Sequence, residues 1–171
     1  MTIGTVPAQL SAWSAATNLL DVVQTVLVNE YGVELPEIVA VMPGGLIAYD
    51  GPQLTVNLVS ITAGIPGVTK TQGDHPSLLQ QFYEFNVMLL RSTPVVGDNG
   101  TSAIPDVTDL TANAQALLAD APALWATIVT IHANYLLVEP GVPFAYGPLH
   151  ALGPDGGLAG CGLSVFMLAD S

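Results

Sequence analysis

Cations are what this sequence has least of. Its 171 residues include two, Lys70 and Arg91, against 14 aspartates and glutamates, for a formal net charge of −12 at pH 7. A protein that grips nucleic acid by its backbone must neutralise several phosphates. Two cations exclude that mode of binding, although an acidic wall past which DNA slides without adhering is compatible with the charge. Cysteine is almost absent as well. Cys161 stands alone, so no intrachain disulfide and no cysteine-based metal site can form. With no basic neighbour to favour its thiolate, it reads as a buried thiol. The opening residues, MTIGTVPAQLSAW, lack the basic and apolar regions of a secretory signal. The apolar runs are interrupted short of the roughly 18 residues that a membrane span needs. A chain assembled in the cytoplasm without a membrane is therefore expected.

Charge of either sign is scarce: 9% of the residues are charged while 50% are hydrophobic. About 25% charged is usual in a soluble domain. So little charge cannot cover a surface, which predicts neutral or apolar exterior faces, and such faces are usually buried against other chains. The length suits one domain with a full core.

Catalytic patterns are missing too. His75, His132 and His150 fall on a loop, a helix and a strand, with no HxH or HExxH spacing. Asp74-His75 before Pro76 reads as a turn rather than an acid–base pair. Glu84 reads as a strand residue facing water or a neighbouring subunit. The glycine groups at residues 43–45 and 153–157 lack a P-loop lysine and the GxGxxG order, and read as turns. No catalytic residue, cofactor or metal site is expected.

What is present organises around residues 79–94, LQQFYEFNVMLLRSTP up to its proline. Tyr83, Phe85, Val87 and Leu89 alternate with Phe82, Glu84, Asn86 and Met88, one face apolar and the other mixed. That pattern predicts a long strand crossing the middle of a sheet, ended by Pro94. Before it, residues 7–31 predict a helix with Leu10, Trp13, Leu20, Val23 and Leu27 on its core stripe, stopped by Gly32. Residues 34–42 predict a strand and residues 46–49 a returning one. In residues 53–61, Leu54, Val56 and Leu58 should point inward, with Gln53, Thr55 and Asn57 outward. Residues 62–76 and 95–104 read as polar loops. Residues 106–138 predict a helix kinked or broken at Pro122, with Leu110, Ala114, Leu117 and Leu118 facing the core in its first half and Leu124, Trp125, Ile128 and Ile131 in its second. Residues 144–152 and 158–168 predict a closing hairpin. The order implies a single α+β domain with an antiparallel or mixed sheet and helices packed on it.

Three segments carry a resemblance: VAVMPGGLIAYDGPQLTVNL at residues 39–58, FNVMLLRSTP at residues 85–94, and GPLHALGPDGGLAGCGLSVFML at residues 147–168. In this order, with a helical stretch before the last, they resemble the tail terminator proteins of long-tailed bacteriophages of actinobacterial hosts. The resemblance covers residue 35 to the C-terminus. It implies a non-catalytic virion subunit that forms a ring, generally hexameric, at the head-proximal end of the tail. Its implied partners are the tail tube protein below and the head-completion or connector protein above, with genomic DNA passing through the ring unbound.

Within that expectation the scarce cations, Arg91 and Lys70, are candidate register-setting contacts between subunits. Tyr49 and Asp50, in the Gly-x-x-Ala-Tyr-Asp turn shared with the family, join them. Asp74, Asp98 and Asp155 are candidate lumen-facing acids that keep DNA from adhering. Another neck or minor tail ring protein is the neighbouring reading; a small-molecule-binding domain or hydrolase without a recognisable motif is the reading from a different class.

Overall fold

Alternating residues build the sheet. In the computed structural model, which describes residues 12–43, 51–63, 81–93, 107–155 and 157–169, six strands form one mixed sheet in the order β1-β2-β3-β6-β4, with β5 also pairing β6. The strands are β1 (Ile38–Pro43), β2 (Gln53–Ala63), β3 (Gln81–Ser92), β4 (Phe144–Tyr146), β5 (His150–Asp155) and β6 (Leu158–Leu168); the helices are α1 (Ala12–Tyr31) and α2 (Val107–Ala133). The fold is α+β, as the element order implies. β3 is the central strand, antiparallel to β2 on one side and to β6 on the other. β1 runs parallel to β2, and every other pairing is antiparallel.

Both helices cover one face. Leu54 and Val56 of β2, Phe85, Val87 and Leu89 of β3, and Cys161, Leu163 and Val165 of β6 join Leu19, Val23 and Leu27 of α1 and Leu124, Ile128 and Ile131 of α2 in one core. α1 ends where Gly32 takes a left-handed φ of 64°. The amides of Gly32 and Val33 then return to the carbonyls of Val28 and Leu27. α2 ends the same way on a side chain less suited to it: Tyr135, at φ 52°, and Leu136 donate to His132 and Ile131. The Tyr31 hydroxyl and Thr130 Oγ1, 2.8 Å apart, link the two helices.

Several expectations need correction. Trp13 was placed on the core stripe of α1, but it is 66% exposed, because the stripe that packs runs through Ala15, Ala16, Leu19, Leu20 and Val23. β1 begins at Ile38 rather than at residue 34, and β2 continues through Thr62 and Ala63. α2 runs unbroken through Pro122 and stops at Ala133, short of residue 138. Its first half does not face the core: no residue between 107 and 119 is buried, and Leu110 and Leu118 are exposed. The sheet ends before it, at Ser92, whose carbonyl accepts from the Asn113 amide at 2.6 Å. Trp125 is exposed at the rim, its ring edge-on to Tyr146 at 5.3 Å. The closing hairpin is split at residues 147–149, so β4 pairs with one end of β6 and β5 with the other. α2 is also long and apolar enough to cross a membrane by length and composition, with a mean hydropathy of 1.4 over its most apolar window. Its buried C-terminal half, packed on the sheet, accounts for part of that apolarity.

The face away from the helices carries the other register of the same strands. Gln53, Thr55 and Asn57 lie there, as their alternation requires, but all three are fully buried rather than turned to water. Residues 46–49, 64–80 and 94–106 lie outside the described residues, and with them the predicted returning strand, Pro94 and most of both polar loops.

Candidate functional site

Three arrangements stand out once the elements are in place. The first is an ion pair. Arg91 is on the helix face of β3, near the strand's end, and Asp120 is on the buried side of α2. The guanidinium donates to both carboxylate oxygens, Nε to Oδ2 at 2.7 Å and Nη2 to Oδ1 at 3.2 Å, and Nη2 also reaches the Glu34 carbonyl at 2.8 Å. The fork ties β3, α2 and the segment after α1 together. The side chains are 21% and 9% exposed, so the pair is shielded on the carboxylate side. Arg91, expected to contact a second subunit, is thus committed within its own chain. The Cys161 thiol stands near this pair. Burial, and secondarily the Asp120 charge, push its pKa up to about 12, with Arg91 opposing. At neutral pH it is a protonated, inert thiol.

The second arrangement is apolar and exposed. On the first half of α2, Val107, Leu110, Ala114, Leu117 and Leu118 recur at steps of one, three and four residues, so they share one helical stripe. Val107 and Leu118 are each 75% exposed. The stripe runs into a groove of about 260 Å³ between α2 and β5, lined by Leu117, Leu118, Ala121, Leu149, Ala151 and Leu152. A second apolar groove, of about 220 Å³, lies beside exposed Trp13 and is walled by Ala16, Val41, Met42 and Leu58. Isolated exposed apolar residues are ordinary; a continuous stripe opening into a groove is the pattern of a contact surface.

The third is polar, on the face away from the helices. Glu84 Oε2 accepts from the Ser60 hydroxyl at 2.7 Å, and Oε1 accepts from Ser164 at 3.2 Å. Register places Asn86 two residues along β3 on the same face, directly between Asn57 of β2 and Ser164 of β6. Asn57 is fully buried, and neither its amide nitrogen nor its amide oxygen has a hydrogen-bond partner. Leaving such a group unpaired costs about 1–3 kcal/mol.

Histidine chemistry does not assemble among the described residues. His132 stacks on Phe144 at 5.5 Å and meets Tyr146 edge-on at 5.7 Å, serving to dock α2 on β4, while His150 opens β5. No group of three or more His, Cys, Asp or Glu side chains comes together among those residues. A cleft of about 250 Å³ between α1 and the segment after α2 holds one carboxylate, Glu139, beside Asn18 and apolar walls. Lys70, Tyr49, Asp50, Asp74 and Asp98 lie outside the described residues. The backbone of Asp155 pairs with Leu158 at the end of β5.

The pairing of Asp120 with Arg91 and the burial of Asn57 are what the sequence reading missed. Asp120 had a signal, as a lone acid inside the apolar run LLADAPALW, where an unpaired charge would not be tolerated. Asn57 had none, since its alternation fits a wet strand face equally well. No protein-family model matches the sequence, and no curated protein matches it.

Proposed function

We propose that this chain is a virion structural subunit of the tail-terminator type. Six copies form a ring at the head-proximal end of a phage tail tube, ending its polymerisation and offering a face to head-completion proteins. The observation that carries the proposal is the exposed apolar stripe of α2 with its adjoining groove, in a chain with too little charge to solvate a free surface. Copies that each carry −12 repel one another. They can pack only where charge is sparse, and the described α2 stripe bears a single acid nearby, Asp109. The sequence pattern from residue 35 onward supports the family, and the α+β architecture is compatible with it.

The proposal is tested by adding the purified chain to polymerising tube protein and measuring tube length by electron microscopy. Wild type should cap and shorten the tubes. Leu118→Asp, which places a charge on an already exposed position, should keep its melting temperature and lose the capping. Tubes of unchanged length with wild-type protein would overturn the terminator reading in favour of a neck component above the tube.

A further inference from the structure

Each side of the sheet presents the same two features, a large exposed apolar side chain and an apolar groove beside it. β1 is one edge of the sheet, and α1 packs over it and over β2. There Trp13, the most exposed aromatic side chain among the described residues, stands beside the groove walled by Ala16, Val41, Met42 and Leu58. β4 and β5 end the sheet on the other side, where α2 packs over β6. There the exposed Leu118 stands beside the groove between α2 and β5. Among the described residues, no charged side chain lines either groove.

We propose that the groove between α2 and β5 receives Trp13 of a second copy of this chain, while Leu118 enters the groove beside that Trp13. The contact rests on the reading that copies of the chain form a ring, and it names the two faces that meet. Each protruding side chain stands beside its own groove, so bringing the β1 edge of one copy against the β5 edge of the next sets each over the other's groove. Such a head-to-tail contact joins unlike faces, and in a closed ring every copy has both edges covered. A two-fold pairing of either edge with itself sets side chain against side chain and leaves the other edge bare. Charge selects another copy as the occupant. Chains of −12 repel one another, so copies can meet only where acids are distant. Asp21 lies about 12 Å along α1 from Trp13, and Asp109 about 14 Å along α2 from Leu118, at roughly 1.5 Å per residue. Both separations exceed the screening length of about 8 Å at physiological salt. Asp120 is nearer, but Arg91 neutralises it. A cationic partner would be drawn to the acids and away from these two edges. Tryptophan is also among the residues that most often anchor a protein contact.

The test is cross-linking of the full chain by a short bis-maleimide. Wild type, whose Cys161 is buried and protonated, should not react. Thr17→Cys and Ala114→Cys each place a thiol one helical turn from Trp13 or Leu118 and leave both side chains intact. Mixed, the two variants should give at least tenfold more linked dimer than either alone. They should exceed by as much a mixture of Ala114→Cys with Asn29→Cys, which lies at the far end of α1. Adding Trp13→Asp to the Thr17→Cys chain should abolish the link while its melting temperature stays that of wild type, since position 13 is exposed. Equal linking of either variant with itself would show a two-fold contact and overturn the proposal. So would a mixture that links no better than the Asn29→Cys control, or a link that survives Trp13→Asp. Linked rings that fail to cap tube protein would refute the terminator reading and leave this contact standing; capping by chains that never link would do the reverse.

Discussion

Arg91→Ala is the perturbation whose consequences the structure fixes most tightly. It removes both hydrogen bonds to Asp120 and the bond to the Glu34 carbonyl, and it leaves the Asp120 carboxylate, 9% exposed, facing the core with no counter-charge. Breaking a buried pair from one side costs roughly 3–5 kcal/mol, because the surviving charge stays desolvated. In a domain of this size each kcal/mol moves the melting point about 2–4 °C, so the loss should reach about 6–20 °C. Urea denaturation followed by circular dichroism reads the free energy directly, and a double-mutant cycle isolates the pair. Arg91→Met with Asp120→Leu removes both charges and should recover most of the loss, to within about 1 kcal/mol of wild type. Arg91→Lys should fall between, since an ammonium cannot reproduce the forked contact while reaching the Glu34 carbonyl. If Arg91→Ala melts with wild type while tube capping is lost, Arg91 acts on a partner and the intrachain account is wrong.

Two further predictions concern β6. A Cβ at Gly160 would overlap the Leu89 carbonyl and crowd the Leu90 backbone, so Gly160→Ala must push β3 and β6 apart. We expect a loss of about 3 kcal/mol or more, or failure to fold, seen in the same denaturation assay. Cys161 should resist thiol reagents at pH 8 in the native state and react once urea unfolds the chain. Its thiol pKa is higher folded, at about 12, than the ordinary 9.0, so between these values the unfolded chain holds fewer protons. Stability from this group is therefore fully present below pH 9 and falls as pH rises toward 12. Cys161→Ala should remove that part of the pH dependence.

How far the fold was legible depended on whether a local period had a single structural meaning. β3 was readable because a long alternating run whose one face, Tyr83 to Leu89, is aromatic and aliphatic has few other homes, and its central place in the sheet followed. Gly32 ended α1 for a local reason, its freedom at positive φ. Periodicity says which residues share a face, but not what lies against that face. Leu110, Leu117 and Leu118 share a stripe as expected, yet the sheet stops at Ser92 and leaves most of that stripe uncovered. Gln53, Thr55 and Asn57 alternate as expected, yet they are buried. Trp13 fails for the same reason, lying just off the stripe that packs. Parallel pairing of β1 with β2 left no local trace, because register between strands is a property of the assembled sheet. The Arg91–Asp120 pair spans 29 residues and two elements, so its two members were visible and their meeting was not.

The central claim, that this chain is the ring closing a tail tube, is tested most directly by electron microscopy of tails carrying it with a C-terminal tag. The account predicts label in one ring at the head-proximal end, at about six copies. Label along the tube, or particles without label, would contradict it.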